Sequence, residues 1–252
     1  MKLKNKTVLI IMLSILMFSG VQLAALPLSF WFDVESGGAI TSYNDVQIPA
    51  DTGTRISLAD DLSPEIKFYY RLQTGIDLNK HSLFLLYAPL LVNSTGPLDT
   101  DVDFYGETFA AGSPLTASYK FNSYRITYAY TFYKSPALRI AAGLTGKIRD
   151  AYISLENGTT KATRSNLGFV PLIHLSAEWF MTPEISILLK GDGLAVPQGR
   201  AEDFQLAIAY APTQNMKLRV GYRLLEGGSD GGGSVYSFSM FHYISAGLQV
   251  KI

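Results

Sequence analysis

Polar and apolar side chains alternate one for one along most of this chain. Pro64, Ile66, Phe68, Tyr70 and Leu72 interleave with Glu65, Lys67, Tyr69, Arg71 and Gln73. Leu138, Ile140, Ala142, Leu144 and Ile148 interleave with Arg139, Ala141, Gly143, Thr145, Lys147 and Arg149. The same rhythm returns at Phe204, Leu206, Ile208 and Tyr210, and at Leu218, Val220, Tyr222 and Leu224. Successive side chains of a strand point to opposite faces, so each segment has one apolar face and one polar, often charged, face. The pattern predicts about ten strands, beginning near residues 28, 64, 82, 117, 137, 164, 185, 201, 217 and 235. Short turns are expected around Leu78–His81, Tyr133–Pro136, Met181–Glu184 and Ala211–Met216. Longer or glycine-rich connections are expected at 36–63, 93–116, 156–163, 194–200 and 227–233. After Leu28 no apolar run reaches the roughly 20 residues that a membrane helix needs.

A soluble sandwich also alternates, so the polarity of the two faces decides the class. Arginines and lysines recur in mid-strand opposite leucines and isoleucines, which is the wrong face to bury in a soluble protein. A membrane barrel inverts the arrangement, with apolar residues toward lipid and polar ones toward the bore. Tyr130, Phe132, Trp179, Phe180 and Tyr210 stand beside short turns, where an aromatic girdle meets the membrane interface. The fold class predicted is all-β, a transmembrane antiparallel up-and-down barrel of about ten strands. On this periodicity and topology the chain resembles the small outer-membrane β-barrel proteins of Gram-negative bacteria. The resemblance implies short turns on the periplasmic side, long loops outside, a setting of outer-membrane lipid and lipopolysaccharide, and insertion by the barrel assembly machinery. Such proteins commonly end in an aromatic residue; here the last strand runs Ile244, Ala246, Leu248, Val250, Ile252.

The N-terminus fits that destination. Lys2, Lys4 and Lys6 precede an apolar run from Val8 to Phe18, and small residues follow at Ser19, Gly20, Ala24 and Ala25. This is the order of a secretory signal peptide, expected over residues 1–25, with the barrel over 26–252 and the cell outer membrane as location. Over all 252 residues, 21 basic side chains balance 21 acidic ones, and 48% are hydrophobic. That balance argues against nucleic acid as a partner, and the hydrophobicity argues against a disordered chain. With no cysteine, thiolate metal sites and cysteine nucleophiles are excluded, and 3 histidines leave little for a metal centre. No cofactor is expected.

Face parity puts Glu65, Lys67, Arg71, Arg125, Arg139, Lys147, Arg149, Glu178, Lys190, Asp192, Asp203, Arg219 and Arg223 toward the bore. Small barrels are filled by their own side chains, whereas open pores need about 16–18 strands. Charges crowded in a narrow bore must pair, so a ladder of arginine–carboxylate bonds is expected to hold the wall together and largely occlude the bore, and the function expected is non-enzymatic. The protein is read as structural, or as a narrow path for a small solute that prefers anions because bases outnumber acids in this set. The alternatives are an enzyme acting on lipid A or phospholipid, and adhesion through the long external loops. For the enzyme, His174, Ser176 and Glu178 share one strand face, and the H-x-S pair is similar to that of lipid A 3-O-deacylases. The Asn-x-Gly continuation of that motif is absent, and the competing reading is a buried histidine bonded to a neighbouring carboxylate. Asp60, Asp61, Asp99, Asp101 and Asp103 fall in external loops without the Asp-x-His pair of the omptin proteases or the glycine of a calcium loop. Pro89 and Pro171 fall inside strands, where each removes one ladder donor.

Overall fold

A computed structural model describes residues 28–252. The expected signal peptide, residues 1–25, lies outside the described residues. Ten long strands follow one another: β1 Leu28–Gln47, β2 Lys67–Leu78, β3 in two segments (His81–Ala88 and Leu91–Pro97), β4 Pro114–Lys134 and β5 Leu138–Glu156. They continue as β6 Lys161–Phe180, β7 Ile185–Val196, β8 Gly199–Thr213, β9 Met216–Ser229 and β10 Tyr236–Lys251. Each pairs antiparallel with its neighbour in sequence, and β1 pairs both with β2 and with β10, from Trp31↔Lys251 to Gln47↔Tyr236. The sheet therefore closes into a barrel and leaves no edge along its length at β1 and β10.

Four connections at one end are short: 79–80, 135–137, 181–184 and 214–215. Asn79 takes a left-handed conformation (φ +56°), which its short polar side chain tolerates in a tight hairpin. Leu28 and Ile252 lie at this same end, where Phe30 and Ile252 exchange backbone hydrogen bonds. At the other end the connections are uneven. Those at 48–66 and 98–113 are long, but 157–160 and 197–198 are tight hairpins, shorter than the alternation suggested. Asn157 closes the first of these by accepting from the backbone N–H of Thr159 and Thr160. The expected loop at 36–63 is also shorter, because β1 runs on to Gln47. A register shift between Thr41 and Tyr43 turns the strand over, so its polar pattern breaks while its ladder continues.

The outer surface is apolar. Phe32, Phe68, Leu144, Phe169, Ile208 and Val220 are all exposed, while Asp33, Arg125, Asp203 and Arg223 are buried. Two aromatic bands bound this belt. Tyr70, Tyr87 and Tyr124 pack in a row toward the loop end, and Tyr128, Tyr130, Phe132, Trp179 and Tyr210 lie toward the short turns. On β4 the eight steps from Tyr124 to Phe132 cover about 26 Å along the strand, or roughly 20 Å of height after a tilt of about 40°. A closed wall with an apolar belt, aromatic borders and a polar inside is the construction of an outer-membrane barrel.

The inside is not uniform. Toward the loop end, inward residues are apolar and meet the two long loops. Ile48, Ile56, Leu58 and Leu62 from one loop, and Leu98, Val102, Phe104 and Phe109 from the other, pack against Ala117, Tyr119, Leu155 and Phe241 of the wall. A small hairpin, Val102–Phe104 with Glu107–Phe109, carries the second set. These loops fold into the mouth of the barrel rather than standing free above it. Their acidic residues serve the loops themselves: Asp101 accepts from the backbone N–H of Ala111, Asp103 from the Thr108 hydroxyl, and Asp61 from the backbone N–H of Ser57.

Candidate functional site: a charged layer between two chambers

Alternation sends every second side chain of each strand inward, and in the lower half of the barrel those side chains are charged. Asp203 on β8 is the centre. It accepts from Arg71 of β2 at 2.9 Å, Arg125 of β4 at 2.7 Å and Arg223 of β9. Arg125 reaches on to Asp192 of β7 at 2.7 Å, and Asp192 also accepts from the Thr145 hydroxyl and bonds His174 Nδ1, each at 2.8 Å. On the other side Arg223 binds Glu35 of β1 through Nε at 2.8 Å. Glu35 accepts from Gln205, Tyr69 and Arg219 as well, and Arg219 forms a two-pronged pair with Asp33. This connected belt draws on every strand except β3 and β10, and Gln205 ties it to β10 through Ser245. Closed ladders fix the height of each strand, so groups far apart in sequence meet at one level.

Asp33, Glu35, Gln205 and Lys217 belong to this interior and were absent from the set read by parity. The signal for the first two was available: Phe30, Phe32 and Val34 face out, so Trp31, Asp33 and Glu35 face in. Glu178 lies below the layer, where it pairs with Arg139 and with Lys217 at 2.6 Å and accepts from Ser186. Lys190 stands across from Ser176 and opens on the chamber below the layer. Lys147 and Arg149 face the chamber above it. Glu65 is a correction: it is exposed at the loop end and does not enter the bore. Alternation itself carries through this stretch, since Ile66 and Phe68 both lie outside, but Glu65 stands at the rim, above the level at which the interior fills. There Glu65 binds Lys67 and accepts from the backbone N–H of Asn93. Slight burial would raise its pKa, but those two partners outweigh it and hold the carboxyl below the usual range.

Two cavities flank the layer. The lower, about 200 Å³, lies toward the short turns and is bordered by Asp33, Arg139, His174, Glu178, Lys190 and Lys217. The upper, about 230 Å³, is bordered by Lys147, Arg149, Arg164, Phe121 and Ser239. His174, Ser176 and Glu178 do share a face, yet they do not form a relay. His174 is bonded to Asp192 and packs edge-on against Phe84, and Glu178 is held by its cations. His242 lies on the outer face, stacked on Tyr222.

No protein-family model matches the chain, and no curated protein does. Solved outer-membrane barrels do align with it along most of its length. Outer membrane protease OmpT from Escherichia coli is 11% identical with a TM-score of 0.49, covering 89% of this chain and 97% of that one. Neisserial surface protein A is 15% identical with a TM-score of 0.35, covering 88% and 97%. Ail, the attachment invasion locus protein of Yersinia pestis, is 8% identical with a TM-score of 0.38, covering 88% and 98%. At such identities the chemistry of the bore has to come from this chain's own residues.

Proposed function

We propose that this protein is a non-enzymatic barrel of the cell outer membrane whose bore is closed to bulk ion flow. The observation that carries the reading is Asp203, 98% buried at its side chain and held by arginines from three different strands. An ion crossing that level must separate buried pairs, and breaking one costs about 3–5 kcal/mol. The packed loops add a second, apolar closure nearer the outside. His174 is committed to Asp192 rather than to Ser176, which supports a non-enzymatic role. Outer-membrane lipid and lipopolysaccharide are the partners that suit the apolar belt, and the assembly machinery suits the closed sheet.

Refolded protein in a planar lipid bilayer tests this directly. We expect a flat baseline without steady steps. Large, unselective conductance would mean an open, water-filled bore and would overturn the reading. A small current selective for anions would instead support the narrow-pathway reading, which Lys147 favours because it lies inside with no acidic partner among the described residues.

A further inference from the structure

Lys147 is 2% exposed, and among the described residues no carboxylate lies within ion-pair distance of it. Its ammonium sits 4.4 Å from the centroid of the Phe121 ring. Beside it on β5, Arg149 holds Asn166 with one end while its buried Nε has no partner. Arg164 on β6 faces the same space, with its guanidinium over the Tyr105 ring at 5.5 Å and no acidic partner among the described residues. These three cations border the upper cavity of about 230 Å³, together with Ser237 and Ser239 and the apolar Phe121 and Val170. The one carboxylate in this lining, Glu226, is taken up by Arg200 at 2.8 Å, so it does not neutralise Lys147, Arg149 or Arg164. Buried cations without counter-charge are costly, and an oxyanion placed among them would relieve that cost.

The wall beside this cavity is incomplete. β6 pairs with β5 along its whole length, up to Glu156↔Lys161. On its other side it pairs with β7 only from Ile173 to Phe180. Residues 161–172 of β6 therefore have no ladder partner on the β7 side among the described residues, and the β7–β8 hairpin turns at 197–198, below the top of β6. Pro171, which has no N–H to offer, lies two residues beyond the last pair, Ile173↔Gly193. Outside this gap Leu167 and Phe169 are 73% and 67% exposed, level with the loop-side border of the apolar belt, since Phe169 is opposite Ile148 and Ile148 opposite Tyr124.

We propose that the upper cavity binds the phosphate head of a single-chain amphiphile, which enters through the gap between β6 and β7 and leaves its tail against Leu167 and Phe169. Lys147, Arg149 and Arg164 hold the oxyanion, and the serine hydroxyls donate to it. The gap explains why the tail need not leave the membrane. This inference does not depend on the bore being closed, because conductance and lipid retention are read by different experiments.

The test uses the full folded barrel in neutral detergent and native mass spectrometry, with lysophosphatidic acid, lysophosphatidylcholine and inorganic phosphate as probes. Wild-type protein should retain one lysophosphatidic acid, and retain lysophosphatidylcholine at least ten-fold more weakly because its phosphate carries a choline. Inorganic phosphate should compete at least ten-fold more weakly still. Lys147→Met should lose about ten- to a hundred-fold in affinity, the scale of one charge-assisted hydrogen bond. It also removes an unpaired buried charge, so the variant should fold, which its gel mobility before boiling will verify. Phe169→Ser should weaken lysophosphatidic acid while leaving inorganic phosphate unchanged. Undiminished retention by Lys147→Met overturns the oxyanion site. Inorganic phosphate binding as tightly as the lipid overturns the amphiphile assignment, and equal retention of both lipids overturns the recognition of an unsubstituted phosphate.

Discussion

Replacing Asp203 by asparagine keeps its volume and removes its charge, which isolates what that charge does for the barrel. The side chain is 2% exposed and meets three guanidinium groups, with Arg71 at 2.9 Å and Arg125 at 2.7 Å. At an effective dielectric of about 20, each attraction at about 4 Å is worth about 4 kcal/mol before opposing effects are counted. Burying the carboxylate and crowding three cations both oppose that gain. The net cost of breaking a buried pair, about 3–5 kcal/mol, is therefore the better guide. Arg125 and Arg223 keep Asp192 and Glu35 as second partners, whereas Arg71 has no other ion pair among the described residues. The assay is urea unfolding of refolded protein in phospholipid vesicles, followed by tryptophan fluorescence and by mobility of unboiled samples. With a urea dependence of about 2 kcal/mol per molar, the midpoint should fall by about 1.5–2.5 M. Asp150→Asn is the control, because Asp150 pairs with Lys120 in a partly exposed setting and should cost no more than about 1 kcal/mol. Adding Arg71→Met to Asp203→Asn should recover part of the loss, since one stranded cation is then gone. A midpoint for Asp203→Asn indistinguishable from that of Asp150→Asn would refute the reasoning and mean that water already screens the layer.

Glu178→Ala should cost less than Asp203→Asn, about 1–2 kcal/mol by the same assay, because Arg139 and Lys217 are partly solvated in the lower chamber. An equal or larger loss would move the centre of the network to Glu178. Phe104→Ala in the loop hairpin should cost about 3–5 kcal/mol, since Phe104 is fully buried in the apolar plug. It should also expose residues 98–113 to protease in the folded barrel, and unchanged resistance would mean that the loop does not depend on this anchor. Protein isolated from outer membranes should lack residues 1 to about 25; N-terminal sequencing that starts at Met1 or Lys2 would rule out cleavage.

What the alternation made legible is face, and what it left hidden is height. Arg71, Arg125, Arg219 and Arg223 could be placed inside from their apolar neighbours alone, because a period of two allows no other arrangement in a strand. Nothing local says that Arg71 and Asp203, 132 residues apart, lie at one level. That depends on the stagger accumulated from strand to strand around the closed sheet. Where the ladder is irregular even face is lost, as at Ser42 beside the register shift in β1. The apolar plug was hidden for a different reason. Toward the loop end the polarity of the wall reverses, with Ala117, Tyr119, Ile153 and Leu155 buried inside while Thr116, Lys120 and Asp150 lie outside. Contrast alone would assign that apolar face to lipid, and the loops that cover it carry leucines among aspartates and serines. The same blindness applies to the upper cavity. Lys147 and Arg149 are legible as inward residues, but that they lack partners follows only from which acids the stagger brings near, and it brings Asp192 and Asp203 to Arg125 instead. The features that sequence conveys least are thus those set by the closure of the sheet, and in this barrel they are the ones that decide whether the interior carries ions, holds a ligand or does neither.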